Sequence, residues 1–214
     1  MLCECLPGFF HNHEGLCEAC RPGSFKSITG NTNCTPCSPG TASSINNSKV
    51  AESCISCRAG QFSDLFGASA CTLCPPGRFT PLNRSTSCTG ACGVHESSPA
   101  GSTNATACLC TAGHTRDLQD HSLGNRSCVS CAQGTFKRYL GDFACTLCES
   151  GKYQPTVGAN DSKACISCQN HSTSPPGSSY ITQCACVPGF YEVLSANFTA
   201  FWHNLTKQEM TLMS

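Results

Sequence analysis

Apolar residues do not line up along this chain. No stretch repeats them at helical spacing over several turns, and no run of 18 apolar residues occurs. A short phrase recurs instead: a glycine, one residue, then an aromatic, set among polar residues. It reads "CRPGSF" from Cys20, "CRAGQF" from Cys57, "CPPGRF" from Cys74, "CAQGTF" from Cys131 and "CESGKY" from Cys148. "CSPGTA" from Cys37 keeps the glycine and lacks the aromatic. A glycine at a fixed place after a cysteine predicts a turn with positive φ. The aromatic two residues on predicts a large side chain covering a disulfide. The pattern therefore predicts short strands and turns with little helix.

Composition rules out one large core. Leu, Ile, Val and Phe make 36 of 214 residues, about 17%. Cysteine makes 22, a density at which a disulfide scaffold is the default reading. Many small units held by covalent staples fit these numbers. Thirteen basic residues balance thirteen acidic ones, with no basic patch for nucleic acid and no polybasic membrane stretch. No transmembrane segment is expected in this chain. Met1-Leu2 leads straight into Cys3, with no signal-peptide pattern.

The cysteines come in pairs. Most are C-x2-C: 17/20, 34/37, 54/57, 71/74, 128/131, 145/148 and 165/168. One is C-x3-C (88/92) and three are C-x-C (3/5, 108/110 and 184/186). A longer repeat overlies them. Cysteines 17, 20, 34, 37, 54 and 57 recur 111 residues later as 128, 131, 145, 148, 165 and 168. "CGVHESSPAGSTNATACLC" from Cys92 and "CQNHSTSPPGSSYITQCAC" from Cys168 share C-x2-H-x2-S-P-x-G-S-x5-C-x-C. This predicts a first cysteine-rich unit over 1–107 that starts mid-module and a second over 108–183. A truncated third, EGF-like in its opening, is expected over 184–194, with a cysteine-free tail over 195–214.

Three chemistries use paired cysteines. C-x2-C pairs at 15- to 20-residue spacing suit a zinc ribbon, with four thiolates at tetrahedral geometry. Against zinc stand the C-x-C and C-x3-C interruptions and the number of thiols to be kept reduced. A thioredoxin-like centre needs one activated cysteine in a βαβ setting, and seven equivalent C-x2-C copies without that pattern do not provide it. Staples remain. Cysteines two residues apart rarely bond each other, so a ladder is expected, in which the second cysteine of each pair closes onto the first of the next. It comprises Cys5–Cys17, Cys20–Cys34, Cys37–Cys54, Cys57–Cys71, Cys74–Cys88, Cys92–Cys108, Cys110–Cys128, Cys131–Cys145, Cys148–Cys165 and Cys168–Cys184. An interlocked pairing of first cysteines is its rival. The ladder leaves Cys3 and Cys186 unpaired within the chain, with partners expected outside it.

Nine of twelve asparagines stand in Asn-x-Ser/Thr sequons. They are Asn46, Asn83, Asn104, Asn125, Asn160, Asn170, Asn197, Asn204 and, with a cysteine as its middle residue, Asn33. This frequency points to the secretory pathway.

These residues resemble a known family. "CECLPGFF" from Cys3 and "CACVPGFYE" from Cys184 look like the tail of an EGF-like module. "CVSCAQGTFK" from Cys128, with the segment from Cys165, resembles the cysteine-rich region of ephrin receptor tyrosine kinases and its tandem relatives. The resemblance covers residues 3 to about 192. It implies an extended tandem array of short β-hairpin and loop modules, small and disulfide-rich, without catalysis, cofactor or metal. It implies a segment of a receptor, surface or secreted protein that acts as spacer and protein-interaction region, with other extracellular proteins as partners. Stacking two near-complete units departs from a standard ephrin receptor. The alternatives are an intracellular zinc-binding C-x2-C array and a CxxC-rich variable surface antigen. His95 and His171 hold equivalent places and are expected to make turn hydrogen bonds. Asp117 and Asp120 are weak calcium candidates.

Overall fold

A computed structural model describes residues 3–117 and 127–191. Among them run ten two-stranded sheets, each strand two or three residues long. The Gly-x-aromatic segment forms the first strand of a hairpin. The residues between the next two cysteines form the second. Ser24–Phe25 pairs with Thr35–Pro36, Gln61–Phe62 with Thr72–Leu73, and Lys152–Tyr153 with Ile166–Ser167. A C-x2-C pair thus brackets a strand, so one cysteine can bond back while the other opens the next module.

The disulfides follow that order. The structure joins Cys5–Cys17, Cys20–Cys34, Cys37–Cys54, Cys57–Cys71 and Cys74–Cys88. It also joins Cys92–Cys108, Cys110–Cys128, Cys131–Cys145, Cys148–Cys165 and Cys168–Cys184. Each closes a loop of the size for which the chain-entropy account gives about 3 kcal/mol. Helix is confined to single 3-10 turns at Ala51–Ser53, Ala105–Ala107, Ser162–Ala164 and Ile181–Gln183. Each ends against the first cysteine of a pair. Asn104 and Asp161 cap two of them, accepting from the Thr106 and Lys163 N–H groups.

The interior is cysteine and a row of polar residues. The second cysteines Cys20, Cys37, Cys57, Cys74, Cys110, Cys131 and Cys148 are all but inaccessible. Beside them lies the residue after each aromatic position: Lys26, Ser43, Ser63, Thr80, Ser98, Lys137, Gln154 and Ser174, all buried. The aromatics Phe25, Phe62, Phe79, Phe136 and Tyr153 are only half-buried. Burying a polar residue requires hydrogen bonds, and the Lys26 ammonium donates to the Phe9 and Gly30 carbonyls.

The buried row carries the links between modules, where a module is named by its opening cysteine. Three backbone bonds recur at successive junctions. The glycine three residues after the cysteine donates to the buried polar residue of the next module: Gly23 to Ser43, Gly40 to Ser63, Gly60 to Thr80. That polar residue donates onward in turn: Lys26 to Ser48, Ser63 to Ser85, Thr80 to Ser102. A third N–H returns to the opening cysteine of the module before: Asn47 to Cys20, Gly67 to Cys37, Arg84 to Cys57, Gly101 to Cys74. Parallel single bridges add to them, Phe25 with Ser48, Phe62 with Ser85 and Phe79 with Ser102. Backbone pairing does here what side-chain packing does in a larger core.

Proximity of Cα atoms groups the chain into two units, Met1–Val129 with Tyr139–Phe143, and Ser130–Arg138 with Ala144–Ser214. The links above belong to the first. The second repeats them: Gly134 to Gln154, Gln154 to Ser178, and Gly158 to Cys131.

Candidate functional site

The repeat turns on two positive-φ positions per module. The first is the glycine of C-x2-G, at φ between 79° and 86° for Gly8, Gly23, Gly40, Gly60 and Gly77. The second lies about ten residues after the cysteine, and its N–H makes the return bond. Gly30, Asn47, Gly67, Arg84, Gly101, Gly141, Gly158 and Gly177 all have positive φ there. The sequence reading missed this second position because Asn47 and Arg84 interrupt its run of glycines. A glycine recurring ten residues after the cysteine was the available signal.

The two positions meet across the array. A Cβ on Gly23 would lie 2.0 Å from the Gly67 carbonyl oxygen, on Gly40 2.4 Å from that of Arg84, and on Gly60 2.1 Å from that of Gly101. In the second unit a Cβ on Gly134 would lie 2.0 Å from the Gly177 oxygen. Each contact joins a module to the one two places on. At these four positions the first glycine serves both φ and close backbone approach.

The C-x-C pairs mark seams. There the second cysteine itself enters the strand, with Cys110 opposite Glu96 and Cys186 opposite Ser172. In each preceding module a histidine fills the first-glycine slot, His95 at φ 58° and His171 at φ 63°. Their carbonyls accept from the Thr111 and Val187 N–H groups, and their rings stack. His95 lies on His114, with centroids 3.9 Å apart, and His171 on Phe190, 4.0 Å apart. The expected turn bond is thus a main-chain bond, and the side chain has a different partner.

An ionic cluster braces the first seam. The Arg116 guanidinium pairs with Glu96 and Asp142 and donates to the Cys108 carbonyl. Its side chain and that of Glu96 are largely buried. Burial alone would lower the Arg116 pKa, but hydrogen bonds and charge from Asp142 and Glu96 more than offset it and raise it. The other oxygen of Asp142 accepts from the Cys110 N–H, as Asn31 does from Cys5.

Ten disulfides take up the thiolates that a zinc ribbon would use. Cys3 and Cys186 are free and exposed. Among the described residues no group of three or more His, Cys, Asp or Glu is placed to hold a metal ion, and no helix is long and apolar enough to cross a membrane. Asn33, Asn46, Asn83, Asn104, Asn160 and Asn170 are exposed. Asn125, Asn197, Asn204 and Asp120 lie outside the described residues, as do 192–194 of the expected third unit and the tail over 195–214. Large apolar side chains recur eight residues after the opening cysteine, at Ile28, Ile45, Leu65, Leu82 and Tyr139, all at least half exposed.

Residues 47–92 match the family model "Tyrosine-protein kinase ephrin type A/B receptor-like". Over this span the chain resembles ephrin-receptor-like cysteine-rich repeats. The matched span runs from the second turn position of one module to the opening cysteine of the last module before the seam. Ephrin type-A receptor 6 of Rattus norvegicus is 40% identical to the chain over 48 residues, 22% of the chain and 4% of the receptor. The Mus musculus receptor of that name gives the same figures. "Sushi, von Willebrand factor type A, EGF and pentraxin domain-containing protein 1" of Rattus norvegicus is 35% identical over 92 residues, 38% of the chain and 2% of that protein. The alignments therefore span only a few hundredths of these relatives' lengths. Disulfide-laddered ephrin-receptor-like repeats fit an extracellular segment of a receptor. The matches are to receptor-like repeats and not to catalytic domains.

Proposed function

We propose that this chain is a non-catalytic extracellular spacer within a receptor, surface or secreted protein, and that its exposed rows of side chains contact other extracellular proteins. The observation that carries this reading is the recurrence of the same three backbone bonds from module to module. Repeats joined this way transmit position along the chain without a central core, which suits a spacer. The exposed apolar row at Ile28, Ile45, Leu65 and Leu82 supports the contact role, since such residues on consecutive modules offer evenly spaced anchors. The ladder itself and N-glycans at the sequons are part of this proposal.

Small-angle scattering of the oxidised chain tests the spacer role. A compact domain of this length would have a radius of gyration of about 17 Å. The spacer reading expects a value well above that, unchanged by salt. A value near the compact one defeats it. Expression in a secreting eukaryotic cell, followed by enzymatic removal of N-glycans, is expected to lower the mass and leave aspartate at occupied sequons. An unchanged mass defeats the glycan assignment alone.

A further inference from the structure

We infer that a histidine in the first-glycine slot ends an array of these repeats, and that His95 and His171 are such terminators. At Gly23, Gly40, Gly60 and Gly134 that slot must be glycine, because the carbonyl oxygen two modules on would sit 2.0 to 2.4 Å from any Cβ, whereas at Gly77 and Gly151, one module before each histidine, a Cβ would meet nothing nearer than a hydroxyl at 3.5 Å among the described residues. Real Cβ atoms do not approach oxygen so closely, so a side chain there excludes that carbonyl. His95 and His171 keep the backbone turn, at φ 58° and 63°, and carry a Cβ. They hold the turn, and a Cβ in that slot forbids an approach like that of Gly60 to the Gly101 carbonyl.

The ring supplies a substitute contact with the module immediately following. His95 stacks on His114, which follows Gly113, and His171 on Phe190, which follows Gly189. Both stacked partners occupy the residue after the first glycine of a module opened by C-x-C. Both seams therefore combine the same parts: a side chain that blocks, a ring that docks, and a cysteine moved one place into the strand. Histidine suits the position, since it tolerates the left-handed region better than bulky or β-branched residues do and offers a flat face for stacking.

Transplanting the terminator tests it. In the full oxidised chain, Gly60→His is expected to accelerate amide exchange of Gly101, whose N–H bonds the Cys74 carbonyl, by about tenfold or more. The Asn47 amide, which bonds Cys20 upstream, should change by less than about twofold. Gly60→Ala is the smaller probe of the same block. A folded variant of either kind with Gly101 protection unchanged overturns the inference. His171→Ala keeps the Cβ and removes the ring, and its site is exposed, so the fold should survive. It is expected to shift the Phe190 ring protons and speed exchange of the Val187 amide, which bonds the His171 carbonyl, several-fold. No change in either signal overturns the docking role of the ring.

Discussion

Gly60 and Gly101 lie two modules apart, yet a Cβ on Gly60 would sit 2.1 Å from the Gly101 carbonyl oxygen. Gly67 has a similar φ, 76°, but a Cβ on it would meet nothing nearer than Pro36 Cβ at 3.6 Å. The pair separates two costs of replacing glycine. Gly67→Ala bears only the left-handed backbone penalty, about 1–2 kcal/mol. Gly60→Ala bears that and displacement of a neighbouring main chain, a further 1–3 kcal/mol or so. Thermal unfolding with disulfides intact should therefore rank wild type above Gly67→Ala and Gly67→Ala above Gly60→Ala. Equal losses would show that the close approach carries no energy.

Arg84 and Asn47 occupy the second turn position with φ of 58° and 55°. Arginine bears the full left-handed penalty there, whereas asparagine is among the side chains that tolerate it. Arg84→Gly relieves about 1–2 kcal/mol of strain and costs about 0.5–1 kcal/mol of unfolded-state entropy. A net gain of about 0.5 kcal/mol is expected, read as a higher melting temperature. Asn47→Gly should be near neutral. A loss on Arg84→Gly would contradict the strain assignment.

These two positions show how far the sequence reaches. The first glycine is legible because it follows a cysteine at fixed spacing and a half-buried aromatic marks its frame. The second is obscured by Arg84 and Asn47, since strain tolerated at two modules erases the pattern. The buried row is harder still to read. Lys26 and Gln154 look like surface residues, and their burial goes with main-chain bonds to neighbouring modules and with side-chain bonds, Lys26 donating to the Phe9 and Gly30 carbonyls and Gln154 Oε1 accepting from Thr156. His95 and His171 stood out by their spacing, but their role depends on the glycine they replace and the ring they meet. Neither is written in the local sequence.

The first seam depends on Asp142 in two ways, through Arg116 and through the Cys110 N–H. Asp142→Asn keeps an oxygen for Cys110, as Asn31 provides for Cys5, and loses only the charge. Asp142→Ala loses both contacts and should cost about 1–2 kcal/mol more. Amide exchange at Cys110 distinguishes them: protection is retained in Asp142→Asn and reduced in Asp142→Ala. Equal loss in both would put the effect on charge alone.

Asp161 accepts from the Lys163 N–H at the start of the turn Ser162–Ala164. That bond first, and the charges of Arg138 and Lys163 after it, hold its carboxyl below the usual range. A group with a depressed folded pKa adds stability above its unfolded pKa and loses it as pH falls through the folded value. The cap should thus be at full strength near neutrality and weaken only in acid, below the ordinary aspartate range. The Lys163 amide shift, followed by NMR, should titrate there. Asp161→Asn keeps a capping oxygen and should abolish that titration while the turn persists. A midpoint at or above the ordinary value would contradict the cap.

Everything above depends on each module being closed by its own disulfide, so the most direct measurement is the disulfide map. Proteolysis of the unreduced chain under conditions that block exchange, with mass spectrometry of the linked peptides, should recover Cys20 joined to Cys34, Cys37 to Cys54 and Cys57 to Cys71. Peptides joining Cys17 to Cys34, or Cys20 to Cys37, would contradict the ladder and with it the register of every junction.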